Sequence, residues 1–166
     1  MLFRIPRKGD EDVPRPGEYD GRVKLAAVGA VLLLALGGGA AARAVTSNFF
    51  QTPSGNIGCI YVAPFASIDR PYLRCDIGGG LHPLPPRPKS CDLDWGYGYS
   101  MSDTGRAKPF CAGDTAKDPR APILQYGRTW RRGPFTCVSQ RIGLRCANRA
   151  RRGFFLSRQH SYTFSS

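Results

Sequence analysis

The sequence predicts a mostly β fold, a small disulfide-stapled antiparallel sheet domain behind one N-terminal apolar helix. Three observations lead there. The stretch 134–157, PFTCVSQRIGLRCANRARRGFFLS, reads as strand, tight connection, strand, turn and strand, with one cysteine on each of the first two arms. All six cysteines (Cys59, Cys75, Cys91, Cys111, Cys137 and Cys146) follow an uncharged apolar segment, and an even count on the exported side of such a segment reads as a disulfide framework. Glycine (20) and proline (14) make up about a fifth of the chain, which suits short strands and turns better than helices.

Residues 1–24 are polar and mixed in charge, with Pro6, Pro14 and Pro16 and no apolar period, the composition of a disordered segment. Residues 25–44 form the apolar stretch. The run from Leu25 to Ala42 holds no charge, and eighteen such residues lie at the lower edge of a membrane span. Ala42-Arg43-Ala44 then makes a small-x-small cleavage pattern. Two readings compete here. A cleaved signal peptide wants a short basic start, which translation from a GTG codon at Val23 would supply. A signal anchor tolerates the long start and keeps the helix in the membrane. Either way, residues 45–166 are expected outside the cytoplasm, secreted or anchored to the membrane.

Within the exported part, Ile57 to Val62 and Tyr72 to Ile77 read as a pair of strands. Residues 78–88, GGGLHPLPPRP, read as a rigid connector with extended polyproline character. The Gly/Tyr-rich stretch 92–102 matches no simple pattern. Residues 123–126 and 128–130 are expected to feed as strands into the C-terminal meander. In that meander, alternation puts Phe135, Cys137 and Ser139 on one face, and Leu144, Cys146 and Asn148 on one face of the strand expected over 144–149. A short turn around Arg141 and Ile142 then sets Cys137 opposite Cys146, within disulfide reach. Six cysteines allow 15 connectivities, which sequence cannot choose among. The nearest-neighbour set 59–75, 91–111 and 137–146 is the expectation, and only the last pair follows from strand geometry. No amphipathic helix is visible, and no internal repeat beyond a loose recurrence of cysteine-bearing strands.

The run FTCVSQRIGLRCANRARRGFFLSR, with FQTPSGNIGC at residues 50–59 and LRCDI at 73–77, resembles an uncharacterised family of small exported actinobacterial proteins, a domain of unknown function. The resemblance covers Phe50 to about Phe164 and implies no activity, cofactor or catalytic residue. The chain departs from it at Arg151-Arg152-Gly153, where the family pattern implies a Gly-His-Gly turn.

Catalytic machinery is sparse. The exported part has no glutamate, which disfavours a lysozyme-like acid pair. No G-x-S-x-G occurs, and six paired cysteines leave no thiol nucleophile. Asp92-x-Asp94 lacks the later ligands of a calcium loop. No C-x-x-C occurs, and the sequence implies neither a metal nor a cofactor. His82 and His160 could act as an acid/base pair in a small secreted hydrolase or nuclease, the runner-up reading.

Charge gives the only direction. Residues 45–166 carry 17 Lys/Arg against seven Asp, a net charge of +10, and no acid follows Asp118. Arg131, Arg132, Arg141, Arg145, Arg149, Arg151 and Arg152 are the candidate anion-binding residues, with Trp130 beside them as a stacking surface. The expected function is non-catalytic binding of an anionic envelope polymer or an acidic membrane surface, with nucleic acid a weaker alternative.

Overall fold

The structure is a computed structural model that describes residues 47–165. The polar segment 1–24 and the apolar segment 25–44 expected from sequence lie outside the described residues. Ten strands run in chain order: β1 (Phe49–Gln51), β2 (Ile57–Val62), β3 (Tyr72–Ile77), β4 (Asp94–Ser102), β5 (Lys108–Ala112), β6 (Thr129–Arg132), β7 (Phe135–Gln140), β8 (Gly143–Ala147), β9 (Arg152–Leu156) and β10 (Ser161–Ser165). They make two antiparallel sheets in which chain neighbours are also sheet neighbours, β1-β2-β3-β4-β5 and β6-β7-β8-β9-β10. Among the described residues there is no helix, and so none long and apolar enough to cross a membrane.

Alternation along each strand sends one set of side chains into a core that the two sheets share. Phe50 of β1 meets Trp130 of β6 at 4.8 Å between ring centroids. Tyr99 of β4 meets Phe154 of β9 at 5.6 Å. Between these aromatic pairs, Cys59, Cys75, Cys137 and Cys146 are fully buried. The bridges join Cys59 to Cys75, Cys91 to Cys111 and Cys137 to Cys146, the nearest-neighbour set. The first and third span directly opposed residues of adjacent strands, with Cα atoms 4.1 Å apart in each.

The two sheets repeat each other position by position. In the first, Phe50, Cys59, Cys75, Tyr99 and Pro109 stand in one row across the five strands. In the second, Trp130, Cys137, Cys146, Phe154 and Thr163 make the equivalent row. Leu73-Arg74-Cys75 on β3 matches Leu144-Arg145-Cys146 on β8. Gly98 faces Asp76 as Gly153 faces Ala147. Both glycines are obligatory for the same reason. A Cβ at Gly98 would lie 1.9 Å from the Cys75 carbonyl oxygen, and one at Gly153 would lie 2.0 Å from that of Cys146. The loose recurrence read from sequence is therefore a structural repeat of a whole five-stranded meander. Its two copies face each other like against like.

The strands read from sequence at 57–62 and 72–77 are β2 and β3, and the three-stranded C-terminal meander is the middle of the second sheet. Four details differ. The arm expected over 144–149 ends at Ala147, because Asn148 leaves the ladder to cap the next turn. Its side-chain oxygen accepts from the backbone of Ala150 and Arg152, each at 3.1 Å. The stretch 123–126 is not a strand. Only Ile123 bridges to Gln51, while buried Leu124 donates its N–H to the Gln51 carbonyl at 2.8 Å. The Gly/Tyr-rich stretch forms β4, whose register shifts between Trp95 and Tyr99 and so hides the alternation. Strands β1, β5 and β10 are short edge strands whose weak alternation gives no strand expectation from sequence.

Candidate functional site

The outward face of the second sheet carries the site. Alternation that buries Trp130, Cys137, Cys146 and Phe154 turns Arg131, Thr136, Arg145, Ala147, Phe155, Tyr162 and Phe164 the other way. Gly153 leaves a gap in that face, and the Phe164 ring lies over it, so close that a Cβ on Gly153 would come within 2.7 Å of the ring. The Arg145 guanidinium carbon sits 3.9 Å from the Phe164 ring centroid, a close cation–π contact. Beside it, Phe155 and Tyr162 stack at 5.2 Å between centroids.

Beyond β8 the chain turns through Arg149, Ala150 and Arg151. Asn148 fixes this turn from both sides: its amide nitrogen donates to the carbonyls of Ser102 and Gly105, at 2.9 and 2.7 Å, in the connection between β4 and β5. Arg152 adds a bond to the Thr104 carbonyl at 2.9 Å. Arg149 forms an ion pair with Asp103, a carboxylate only 5 % exposed, and Arg70 approaches the same group at 3.5 Å. Arg151 has φ +57°, in the left-handed region that favours glycine. The strain is tolerated because the neighbouring bonds hold the turn on both sides.

Arg145, Arg149 and Arg151 thus line one cleft of about 290 Å³, with Thr136, Ala147 and Phe164 as its floor and walls. The other candidates lie elsewhere. Arg131 is exposed on the same sheet face at the β6 edge, opposite Thr136. Arg132 lies 5.8 Å from the Tyr61 ring, and Arg141 lies 5.5 Å from the Tyr126 ring beside a separate depression. Arg152 is committed to its backbone partner. The seven arginines are therefore not one continuous surface. Trp130 supplies no stacking surface either: it is fully buried against Phe50, and its indole N–H donates to the Ser47 carbonyl at 2.7 Å. Arg149 is no free surface charge, since it holds the buried Asp103 carboxylate.

A model of the family of unknown function DUF6636 matches residues 28–164. The chain belongs to that family. The DUF6636 span contains the whole stretch from Phe50 to Phe164 on which the sequence resemblance rests. No curated protein matches the chain, and no solved structure does.

The first sheet carries the counterpart of the Arg145 position. Arg74 lies with its guanidinium carbon 4.3 Å from the Phe110 ring centroid. Its Nε–H donates to Asp76 Oδ1 and its Nη2–H to Asp76 Oδ2, both at 2.9 Å, a bidentate fork. Nη1 donates to Asp114 Oδ1 at 2.7 Å, and Nη2 to the Asp114 carbonyl at 2.6 Å. Burial works against the Arg74 charge, but the bonds to Asp76 and Asp114 outweigh it and raise its pKa above the ordinary value. The same bond from Arg74 holds the Asp114 carboxyl below the usual carboxylate range.

His82 and His160 are exposed, and neither lines the arginine cleft. The Ser161 N–H donates to the His82 carbonyl at 2.6 Å, which brings the backbones carrying the two histidines together. Among the described residues no three His, Cys, Asp or Glu side chains gather as a metal site. The residues that sequence reasoning missed are Thr136, Ala147, Asn148, Phe164 and Asp103. A signal for Phe164 existed in the alternation Tyr162-x-Phe164, but the polar residues around it concealed the strand.

Proposed function

We propose that this is an exported, non-catalytic binding domain, and that the outer face of its second sheet takes an anionic polymer. The observation that carries the reading is the convergence of Arg145, Arg149 and Arg151 on one cleft over Phe164, with Asp103 the one carboxylate paired there. Three guanidinium groups against one carboxylate leave a local positive excess. Arginine is the cation suited to forked bonds with carboxylate or phosphate. Export is supported by three disulfides, which persist in oxidising compartments. The anions available there are envelope polymers and acidic headgroups.

The test is retention of the full chain on immobilised polyanion at rising ionic strength. Affinity should fall steeply with salt, and each of Arg145→Gln and Arg151→Gln should lower the slope of log affinity against log salt by about one. Binding indifferent to salt, or unchanged in both variants, refutes the proposal. N-terminal sequencing of the native product tests export: a start at or near Val45 marks cleavage after Ala44, whereas an intact start on a membrane-bound product marks an anchor.

One observation favours a second reading, a small hydrolase or nuclease. The backbone pairing of His82 with Ser161 sets the two histidines on adjoining segments. His82→Ala with His160→Ala separates the readings, because polymer binding survives it and acid/base catalysis does not.

A further inference from the structure

Two copies of one meander place the same arginine in two different states. In both, an arginine follows a leucine and precedes a buried half-cystine on the third strand. In both, its guanidinium lies over a phenylalanine of the fifth strand, and a glycine of the fourth strand is pressed against the half-cystine carbonyl. The register makes Arg74 equivalent to Arg145, Gly98 to Gly153 and Phe110 to Phe164. It also makes Asp76 equivalent to Ala147, and there the copies part.

In the first sheet the Asp76 carboxylate fills the fork of Arg74, and the loop over 113–117 closes over the pair. Asp114 supplies a second carboxylate oxygen, and the Ala116 N–H donates to Asp76 Oδ2 at 2.9 Å. The loop lies close enough that a Cβ on Gly58 would come within 2.7 Å of the Lys117 Cα. The residue equivalent to Gly58 is Thr136, and it lines the open cleft instead. Among the described residues no carboxylate reaches Arg145, and no segment covers it in the way 113–117 covers Arg74. The first sheet is thus the second with an acidic group already docked.

We infer that the Arg145 cleft binds a carboxylate, held by the guanidinium fork in the place that Asp76 occupies beside Arg74. The inference rests on the anion-binding reading above and narrows it to one chemical group and one atom position. The forked bond needs a planar pair of oxygens on the edge of the guanidinium away from its stacked face. Phe164 holds the Arg145 plane against the sheet, as Phe110 holds that of Arg74. The cleft of about 290 Å³ exceeds a carboxylate group and leaves room for the residue or sugar that bears it. Arg151 stands at the cleft to meet a neighbouring charge on the same polymer, while Arg149 is balanced by Asp103. The ligand class is accordingly a carboxylate-bearing polymer, such as an oligouronate.

The experiment restores the missing carboxylate. Full-length protein, its Ala147→Asp variant and its Thr129→Asp variant are titrated with an oligogalacturonate and with polyphosphate of matched charge. Thr129 lies on the same sheet face but outside the cleft, so Thr129→Asp controls for one added negative charge. Ala147→Asp should weaken oligogalacturonate binding by about tenfold or more, the worth of a charged hydrogen-bonded fork, and Thr129→Asp by less than about threefold. Arg145→Gln should show the same tenfold loss and serves if Ala147→Asp does not fold. Equal losses for Ala147→Asp and Thr129→Asp overturn the placement of the ligand and leave the polyanion reading standing. Tighter binding of polyphosphate than of oligogalacturonate by the wild type overturns the carboxylate assignment alone. No binding of either polymer overturns both readings together.

Discussion

Reduction should take this domain apart in two stages. The bridges close loops with sequence separations of 16, 20 and 9 residues. In the chain-entropy description such loops restrict the unfolded state by about 3.1, about 3.3 and about 2.6 kcal/mol respectively. Together that is about 9 kcal/mol, against a total stability of roughly 5–15 kcal/mol for a domain of this size. Access separates the stages. Cys111 is exposed, whereas Cys59, Cys75, Cys137 and Cys146 are fully buried between the sheets. A thiol reductant must reach a sulfur, so Cys91–Cys111 should open first while the sandwich persists. The Cys91→Ala/Cys111→Ala protein should remain folded with stability lower by about 3 kcal/mol. The other two bridges should open only with global unfolding, after which the chain cannot refold. The assay is graded reduction, alkylation and peptide mass spectrometry, read beside urea denaturation curves. Labelling of Cys137 or Cys146 before Cys91 and Cys111 would refute the access argument. A fully reduced protein with a cooperative urea transition near the oxidised midpoint would refute the entropic one.

Gly153→Ala and Gly98→Ala should each cost about 3 kcal/mol or more, because the new methyl meets a backbone carbonyl that cannot move without opening the ladder. Gly113→Ala, where a Cβ finds its nearest neighbour at 3.5 Å on the Leu93 side chain, should stay within about 0.5 kcal/mol by the same urea measurement. Acid should weaken the fold through Asp114 and Asp118. Arg74 holds the Asp114 carboxyl low, and the Arg120 backbone N–H holds that of Asp118 low. A depressed folded pKa gives stability that is present above the unfolded value of about 3.9 and is lost as pH falls through the folded value. Urea midpoints from pH 6 down to pH 2 should therefore drop below about pH 4, and Asp114→Asn should flatten that limb. A variant profile parallel to the wild type throughout would show that the Arg74–Asp114 pair does not carry it.

The sequence alone determined what depends on local alternation and composition. Period-two alternation located β7 and most of β8, whose inward positions carry Phe135, Cys137, Leu144 and Cys146, while short apolar runs bounded by turn residues located β2, β3 and most of β9. Opposed positions on a short hairpin sufficed to pair Cys137 with Cys146. Edge strands were illegible for a physical reason. Strand β10 buries little along SYTFS, so its alternation carries a weak signal, although Phe164 does much to shape the cleft. The pattern in β4 is broken by Gly96 and Gly98, which the bulge and the close approach to Cys75 require. The repeat was hidden because its equivalences lie in cross-strand register. Only Leu-Arg-Cys survives as a string, while the aromatic positions change identity from Phe50 to Trp130 and from Tyr99 to Phe154. Tertiary structure alone decided which arginines are free. Arg74 and Arg145 look alike in the chain. A carboxylate two residues along the same strand face and a loop forty residues away neutralise the first. The second has Ala147 and an open cleft.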